Sequence, residues 1–265
     1  MLKNYESSMS DLKSEWIYGL HAVLASLSNP ARIPEELLLT VETKRKMEKK
    51  IQKILNLRYA PHLPTIKTIE RKKFDKIFPP GAVHQGIALR TKKSKEINFS
   101  DFIKNMSDSD KEKITIVALD HVLDPRNAGA IIRTCAAFGV DAIIQTKDHA
   151  PKNSPELIKA AAGGVEFLNI FRVVNLANTL RQLKKLNFWC IGMSANKGKK
   201  ISSLDTPNRL VLIAGSEEKG LRNLTEKNCD ILVNIPLKQN VGSLNVSVAT
   251  GIVLHKIKGK DFGNS

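Results

Sequence analysis

Aromatic residues make up only 5% of this 265-residue chain, too few for the stacking platform on which single-stranded nucleic acid usually lies. Cysteine is scarcer. Cys135, Cys190 and Cys229 stand far apart, with no Cys-x-x-Cys pair and no histidine at ligand spacing. That excludes a disulfide framework and a structural zinc site, and it suits a reducing compartment. All three fall in expected core elements, as small buried hydrophobes. No apolar run is long enough to cross a bilayer. Met1 to Trp16 has no apolar h-region and carries Glu6, Asp11 and Glu15. Neither a signal nor a transit peptide fits, and a cytoplasmic protein is expected.

Acid is also in deficit. Against 42 Lys and Arg stand 26 Asp and Glu, a net charge of +16 with a pI near 9.8. Such a balance points to a polyanionic partner, nucleic acid before a membrane surface. The charge is concentrated: residues 44–76 hold twelve basic residues against three acids, and the rest of the first 112 residues is slightly acidic. A hydrophobic content of 42% supports real cores, and the length suits two domains.

In chain order, residues 1–14 are polar and read as a flexible N-terminus. Residues 15–91 alternate helix and strand as a compact small domain. Ile17 to Leu27 has helical spacing, Leu37 to Val41 reads as a strand, and Thr43 is placed to cap a strongly basic helix, Lys44 to Tyr59. A strand at Ile66–Ile69, a short helix around Phe74–Phe78 and a strand from Gln85 to Arg90 complete it. His21 and His84 sit among apolar neighbours as structural histidines. Residues 92–112 are charged and read as a linker, with Phe99, Phe102 and Ile103 able to dock on a domain.

Residues 113–261 alternate strictly between apolar strands and helices, the pattern of a parallel sheet covered on both faces. Ligands then belong beyond the carboxyl ends of its strands. No Gly-x-Gly-x-x-Gly loop follows the first strand, so an ordinary dinucleotide site is unsupported. Three polar clusters do fall at strand ends. In the first, Asp124-Pro125-Arg126-Asn127-Ala128-Gly129, Asn127 and Gly129 mark the turn into a helix, and Arg133 follows between Ile131, Ile132 and Ala136. An arginine in that apolar context is half of an ion pair or is aimed at a ligand. In the second, Gly215-Ser216-Glu217-Glu218-Lys219-Gly220, a carboxylate sits in a glycine-bounded loop where the backbone can approach a ligand closely.

The third cluster organises the rest. After the strand ending at Ile235, Pro236 stops the ladder, and Ser243 stands where a helix N-cap belongs. Ser243, Asn245 and Ser247 crowd the first turn, where amides lack partners and the dipole is positive. Read alone, the stretch is best explained by capping, though that end can also hold an anion or orient a hydroxyl without a metal. The helix that follows is apolar on two stripes, Val246/Ala249/Val253/Ile257 and Leu244/Val248/Ile252, and so belongs in an interior or an interface.

Asn127…Arg133, Gly215-x-Glu217-x-x-Gly220 and Ile235-Pro236-Leu237…Ser243-Leu244-Asn245-Val246-Ser247-x-Ala249 resemble the three ordered motifs of the SpoU/TrmH branch of the SPOUT methyltransferases. The match covers residues 114–257. Leu237 stands where the branch usually has Met, and Gly242 where a second Ser is frequent. Tyr18-Gly19-Leu20-His21-Ala22-Val23 and His84-Gln85-Gly86-Ile87-Ala88 resemble the ribosomal-protein-L30e-like RNA-binding domain found in the same branch.

The resemblance implies an α/β fold in which the carboxyl-terminal segment of the parallel-sheet domain forms a deep trefoil knot, preceded by the small L30e-like domain. It implies a homodimer that uses S-adenosylmethionine, without a metal, to methylate a ribose 2′-hydroxyl of ribosomal RNA, a guanosine of 23S rRNA in the closest pattern. By position Gly215, Ile235 and Leu244 would meet the cofactor through backbone groups, with Ser194 nearby. Arg133, Asn127, Glu217, Ser243 and Asn245 would form the catalytic set. The branch assigns the base role to the arginine at Arg133; stabilising the developing alkoxide or binding the neighbouring phosphate fits that residue equally. A tRNA ribose methyltransferase shares all of these residues, and a non-catalytic rRNA-binding assembly factor would share the charge and the small domain.

Overall fold

The structure is a computed structural model that describes residues 14–57, 63–93, 97–107, 112–148, 150–151, 154–238 and 242–259. Residues 1–13 of the expected flexible N-terminus, and Tyr59, lie outside these. Two compact units divide the chain, the first ending at Ile97 and the second beginning at Asn98.

The first unit is a four-stranded sheet, order β1-β4-β2-β3, of β1 (Ser14–Tyr18), β2 (Arg32–Leu39), β3 (Thr65–Thr68) and β4 (Ile87–Lys93). β2 and β3 run parallel, and the other pairs antiparallel. Its helices are α1 (Leu20–Ser28), α2 (Val41–Asn56) and α3 (Arg71–Ile77). Ile17 and Tyr18 belong to β1 and not to the helix that their spacing suggests, because Gly19 turns the chain at φ 92°, a conformation open to glycine. Period-two alternation puts Leu37, Leu39, Ile87 and Leu89 into one core with Val23, Leu27 and Ile51. Leu38 and Ala88 face the other way, onto Phe74 and Phe78.

His84 is a satisfied structural histidine. Its ring stacks on Phe74 at 4.8 Å, Nδ1 accepts from the Gly86 amide at 3.1 Å, and Nε2 faces Asp75 at 3.1 Å. His21, by contrast, is exposed, because it lies on the outer face of α1. The cap of the basic helix is Thr40 and not Thr43: the Thr40 hydroxyl accepts from the Thr43 amide, three residues on.

The second unit is a seven-stranded sheet in the order β7-β6-β5-β10-β8-β11-β9, parallel throughout. Its strands are β5 (Ile114–Asp120), β6 (Ala142–Thr146), β7 (Asn169–Val173), β8 (Trp189–Met193), β9 (Lys199–Lys200), β10 (Arg209–Gly215) and β11 (Ile231–Asn234). The helices are α4 (Phe99–Ser107), α5 (Pro125–Ala137), α6 (Pro155–Ala161), α7 (Leu176–Lys184), α8 (Asn223–Glu226) and α9 (Val246–Lys258). Val117, Leu119, Ile143 and Leu212 meet Ile131 and Ile132 of α5 and Val253 and Leu254 of α9 on one face. Ile116, Ile144, Val211 and Ile213 meet Phe102 of α4 and Leu180 of α7 on the other.

The stretch expected as a linker therefore contains a helix of this unit. Phe102 is buried against Phe171, ring centroids 4.8 Å apart. Phe102, expected from the sequence to be able to dock on a domain, does so here. Chain direction on the sheet diverges at neighbours β5 and β10, β5 leading to β6 and β10 towards β11 on the far side. A crevice beyond the carboxyl ends of those two strands is where such sheets bind ligands.

Candidate active site

Asp120 ends β5, and Asp124 caps the next helix by accepting from the Arg126 amide at 2.9 Å, with Pro125 at the first helical position. Asn127 and Gly129 are thus inside α5 and do not form the turn before it. An Asp-Pro pair is itself a helix-start signal. Gly129 is glycine for packing: a Cβ there would stand 2.6 Å from both Ala160 Cβ and the Leu157 carbonyl oxygen of α6. That contact settles where the first turn of α5, with Asn127, can lie.

The loop after β10 is a tight hairpin in which Ser216 and Gly220 exchange backbone hydrogen bonds of 3.0 and 2.9 Å. Gly220 takes φ +66°. Gly215 is required by the chain itself, since a Cβ would lie 2.2 Å from the Gly220 carbonyl carbon and 2.5 Å from the Leu221 nitrogen. The close approach anticipated for a ligand at Gly215 is made by the hairpin's returning limb. Glu217 rides exposed at the tip.

At the third cluster the cap of α9 is Asn245, whose Oδ1 accepts from the amides of Ser247 at 3.0 Å and Val248 at 3.4 Å. Ser243, the expected cap, lies outside the helix and is exposed. A cap's side chain reaches only two or three residues ahead, and the first free amides here begin at Ser247. Asn245 therefore has a structural reason to be an amide. Its other end does more.

Asn245 Nδ2 donates to Asn127 Oδ1 at 2.9 Å. Asn127 Nδ2 in turn donates to Asp124 Oδ2 at 3.1 Å and to Glu217 Oε1. Two carboxylates face the amino group of Asn127, so its amide orientation follows from the network. Residues from all three motifs, 90 and 118 positions apart in sequence, thus share one chain of hydrogen bonds centred on Asn127. Ser247 closes it by donating to Asn245 Oδ1 at 2.6 Å.

Arg133 does not join them within the protomer. It lies six residues beyond Asn127 on α5, about 9 Å along the helix axis at 1.5 Å per residue. The apolar context expected for its side chain is absent: α5 buries Ala128, Gly129, Ile131, Ile132 and Cys135, and Arg133 falls on the exposed face. Only its backbone is covered, by Gly164, whose added Cβ would stand 3.1 Å from the Arg133 Cα. Among the described residues no carboxylate pairs with it.

Of the expected cofactor residues, Ser194 follows β8, its amide donating to the Val233 carbonyl at 2.9 Å and its hydroxyl accepting from the Lys197 amide at 3.1 Å. Ile235 and Leu244 are half-buried at the two ends of the segment joining β11 to α9. Among the described residues of that segment, 235–238 and 242–244, no backbone amide has a backbone partner. Residue types alone did not single out the fully buried Asp120 or its partly exposed partner Arg222, which bind one another at the end of the sheet. A lone Asp closing an apolar strand was the available signal.

The cysteines offer no nucleophile. Burial pushes the Cys190 and Cys229 thiols up to about 12 and raises Cys135 further, and only the thiolate attacks. Cys229 is half-buried rather than fully buried. Among the described residues no group of three or more His, Cys, Asp or Glu could hold a metal ion, and no helix is long and apolar enough to cross a membrane.

Residues 114–255 match the family model described as SpoU rRNA Methylase, and residues 16–97 match the model for RNA 2′-O ribose methyltransferase substrate binding. The chain is 39% identical over 248 residues to the 23S rRNA (guanosine-2′-O-)-methyltransferase RlmB of Pasteurella multocida, covering 92% of this chain and 97% of that one. To its namesake from Escherichia coli strain K12 it is 36% identical over 242 residues, 91% of this chain and 96% of the other. Two solved structures share the fold at low identity. The SpoU methyltransferase AviRb of Streptomyces viridochromogenes in complex with AdoMet aligns at TM-score 0.68 and 17% identity, covering 100% of this chain and 94% of that one. An AdoMet-bound rRNA methyltransferase from Sinorhizobium meliloti aligns at TM-score 0.67 and 21% identity, covering 98% and 91%. With the family model matched over residues 114–255 and relatives 36–39% identical over more than nine-tenths of the chain, this protein belongs to the SpoU rRNA methylase family.

Proposed function

We propose that this protein transfers a methyl group from S-adenosylmethionine to the ribose 2′-hydroxyl of a guanosine in 23S ribosomal RNA. The observation that carries the reading is the network centred on Asn127, which draws Glu217 and Asn245 together from remote segments. The curated relatives carry that activity in their names, and the first unit matches a substrate-binding model. A non-catalytic assembly factor would not need the exposed Glu217 carboxylate held by a side-chain amide from the first turn of α5. The +16 charge supports an RNA partner.

The residues fit the methyl donor. The amides of half-buried Ile235, Leu237 and Leu244, without a backbone partner among the described residues, suit a ligand held by main-chain hydrogen bonds, since half-buried amides call for partners. Ile235, Leu244, Gly215 and Ser194 would hold it, within a carboxyl-terminal segment that the family resemblance reads as a deep trefoil knot. The bound donor supplies an activated methyl on a sulfonium leaving group. The protein then has to position the ribose and ease the loss of its 2′-hydroxyl proton. Glu217 accepts from the hydroxyl through the carboxylate oxygen not engaged by Asn127, and Asn245 and Ser243 hold the segment beside it. Arg133 acts as an electrostatic group: its guanidinium carries five N–H donors in a fixed fork and no acceptor. It pairs with the developing alkoxide or the adjoining phosphate.

The working form is a homodimer. On α9, Val248 and Ile252 remain 51% and 40% exposed, an apolar stripe that an isolated protomer leaves in water.

The test is methyl transfer from labelled S-adenosylmethionine to 23S rRNA and to total tRNA, with the labelled nucleotide mapped. Label on a 23S guanosine ribose is expected; label on tRNA alone, or none, refutes the reading. Arg133→Ala should lower turnover by about 10²–10³, the scale for losing one preorganised donor, with cofactor affinity unchanged by calorimetry. Arg133→Lys should not restore it, since an ammonium lacks the planar fork.

A further inference from the structure

Asp120 is the last residue of β5 and pairs in register with Gly215, the last residue of β10. Its side chain has no solvent exposure. A buried carboxylate is costly unless each oxygen is satisfied. Here both oxygens go to a single residue: Oδ2 accepts from the Arg222 amide at 2.9 Å and Oδ1 from Arg222 Nε at 2.7 Å. The arginine side chain is itself 45% exposed, so burial of the pair is one-sided. For stability alone, apolar neighbours would serve as well as such a pair.

What the pair does fix is the end of a hairpin. Residues 216–220 leave the sheet at Gly215 and return over its Cα through Gly220 and Leu221. Leu221 is buried, its Cδ1 close against Gly192 of β8. Arg222 comes next. Beyond these anchors the tip is exposed, stiffened by the Ser216–Gly220 backbone pair and by the Lys219 amide donating to Ser216 Oγ at 3.3 Å. From that tip Glu217 must meet Asn127, which stands on the loop and helix following Asp120 itself. One carboxylate at the root of the first loop thus sets the exit of the second.

We propose that Asp120, acting through Arg222, is the positioning residue for Glu217, and that losing it displaces the Glu217 carboxylate without touching substrate or cofactor. This rests on the methyltransferase reading for its kinetic consequence but not for its structural one. Asp120→Asn keeps the volume and removes one of the two acceptors. We expect it to lower kcat at least about tenfold, as misplacement by about an ångström does, with the Kd for S-adenosylmethionine and the KM for RNA within about twofold. In a Glu217→Gln background the same substitution should cost no more than about twofold further, because residues acting through one another are not additive. Losses that multiply in the double variant, or an unchanged kcat in the single one, overturn the proposal.

Amide hydrogen exchange gives a readout independent of turnover. The Ser216 and Gly220 amides should exchange faster in Asp120→Asn than in the unaltered protein, and equal rates overturn the proposal. If the unaltered protein transfers no methyl to RNA, the functional reading fails and exchange still decides the clamp. If Asp120→Asn does not fold, Arg222→Lys takes its place in both measurements. It keeps the backbone bond to Asp120 and loses the Nε donor, and the same outcomes support or sink the idea.

Discussion

Two helices, one in each unit, begin with a side-chain cap from which a chain of hydrogen bonds leads beyond the helix. In α2 the Thr40 hydroxyl caps through the Thr43 amide and donates to Thr43 Oγ1 at 3.0 Å. Thr43 then donates to the Gln85 carbonyl at 3.1 Å. In α9 the Asn245 carbonyl oxygen caps through Ser247 and Val248, and its amino group reaches Asn127. The first chain of bonds ends on backbone, against a Gly86 so close that a Cβ would stand 2.5 Å from Thr40 Oγ1. The second ends on an exposed carboxylate, Glu217. Local chemistry is the same in both. What differs is whether the last group is a closed part of the fold or is left open to solvent.

The sharpest way to separate the two is to cut the second chain in its middle. Asn127→Ala leaves the α9 cap in place and disconnects it from Glu217. Single-turnover methylation at saturating cofactor should fall by about 10²–10³, with a melting temperature close to that of the unaltered protein. Turnover within a factor of two of normal would make the network structural, like the one at Thr40.

A smaller effect is expected from removing each cap. Thr40→Ala and Asn245→Ala should both cost about 0.5–2 kcal/mol by denaturant unfolding. Only Asn245→Ala should also lower methylation per folded molecule, by about tenfold or more, since it alone joins the site. Equal activity in the two would erase the distinction drawn here.

The helices should also differ in what their exposed faces do. On α2, Lys46 is engaged with Glu42 at 2.7 Å, and that contact and its charge hold the Glu42 carboxyl below its usual range. Lys49 and Lys53 carry no such pairing among the described residues. Reversing Lys49 and Lys53 to Glu should weaken RNA binding and flatten the plot of log affinity against log salt by about 0.7–0.9 per lost phosphate contact. Reversing Lys46 should do less. An unchanged slope would make the basic face merely solvated.

The smallest effect concerns Ser243. Being exposed and outside the helix, Ser243→Ala should change stability by under about 0.5 kcal/mol, the range of ordinary surface substitutions. Any loss of turnover it causes is then a property of the site. A destabilisation of cap size would return the capping role to Ser243.

Residue patterns were enough for the alternation of apolar strands and helices from Ile114 onward. The central strands β5, β6 and β10 each bury a nearly continuous run, and local periodicity carries that information. The same patterns marked the basic helix and brought Asn127, Glu217 and Asn245 forward as polar residues at strand ends. They failed where a local signal had two outcomes. Ile17–Leu27 has helical spacing, yet Gly19 splits it because β1 finds a partner in β4, whose paired residues lie 70 to 78 positions on (Tyr18 with Ala88, Ser14 with Lys92). Ser243 and Asn245 are both good caps, and which one works depended on where Asn245 could also bond. Residues 92–112 read as a linker because charge outweighs its few aromatics, and Phe102, read as able to dock, does so against Phe171. The sequence by itself determined which residues are unusual in their setting. Only the tertiary structure decided which of them meet, because sheet order brings β5 beside β10, and hydrogen bonds act over about 3 Å while the motifs lie up to 118 residues apart.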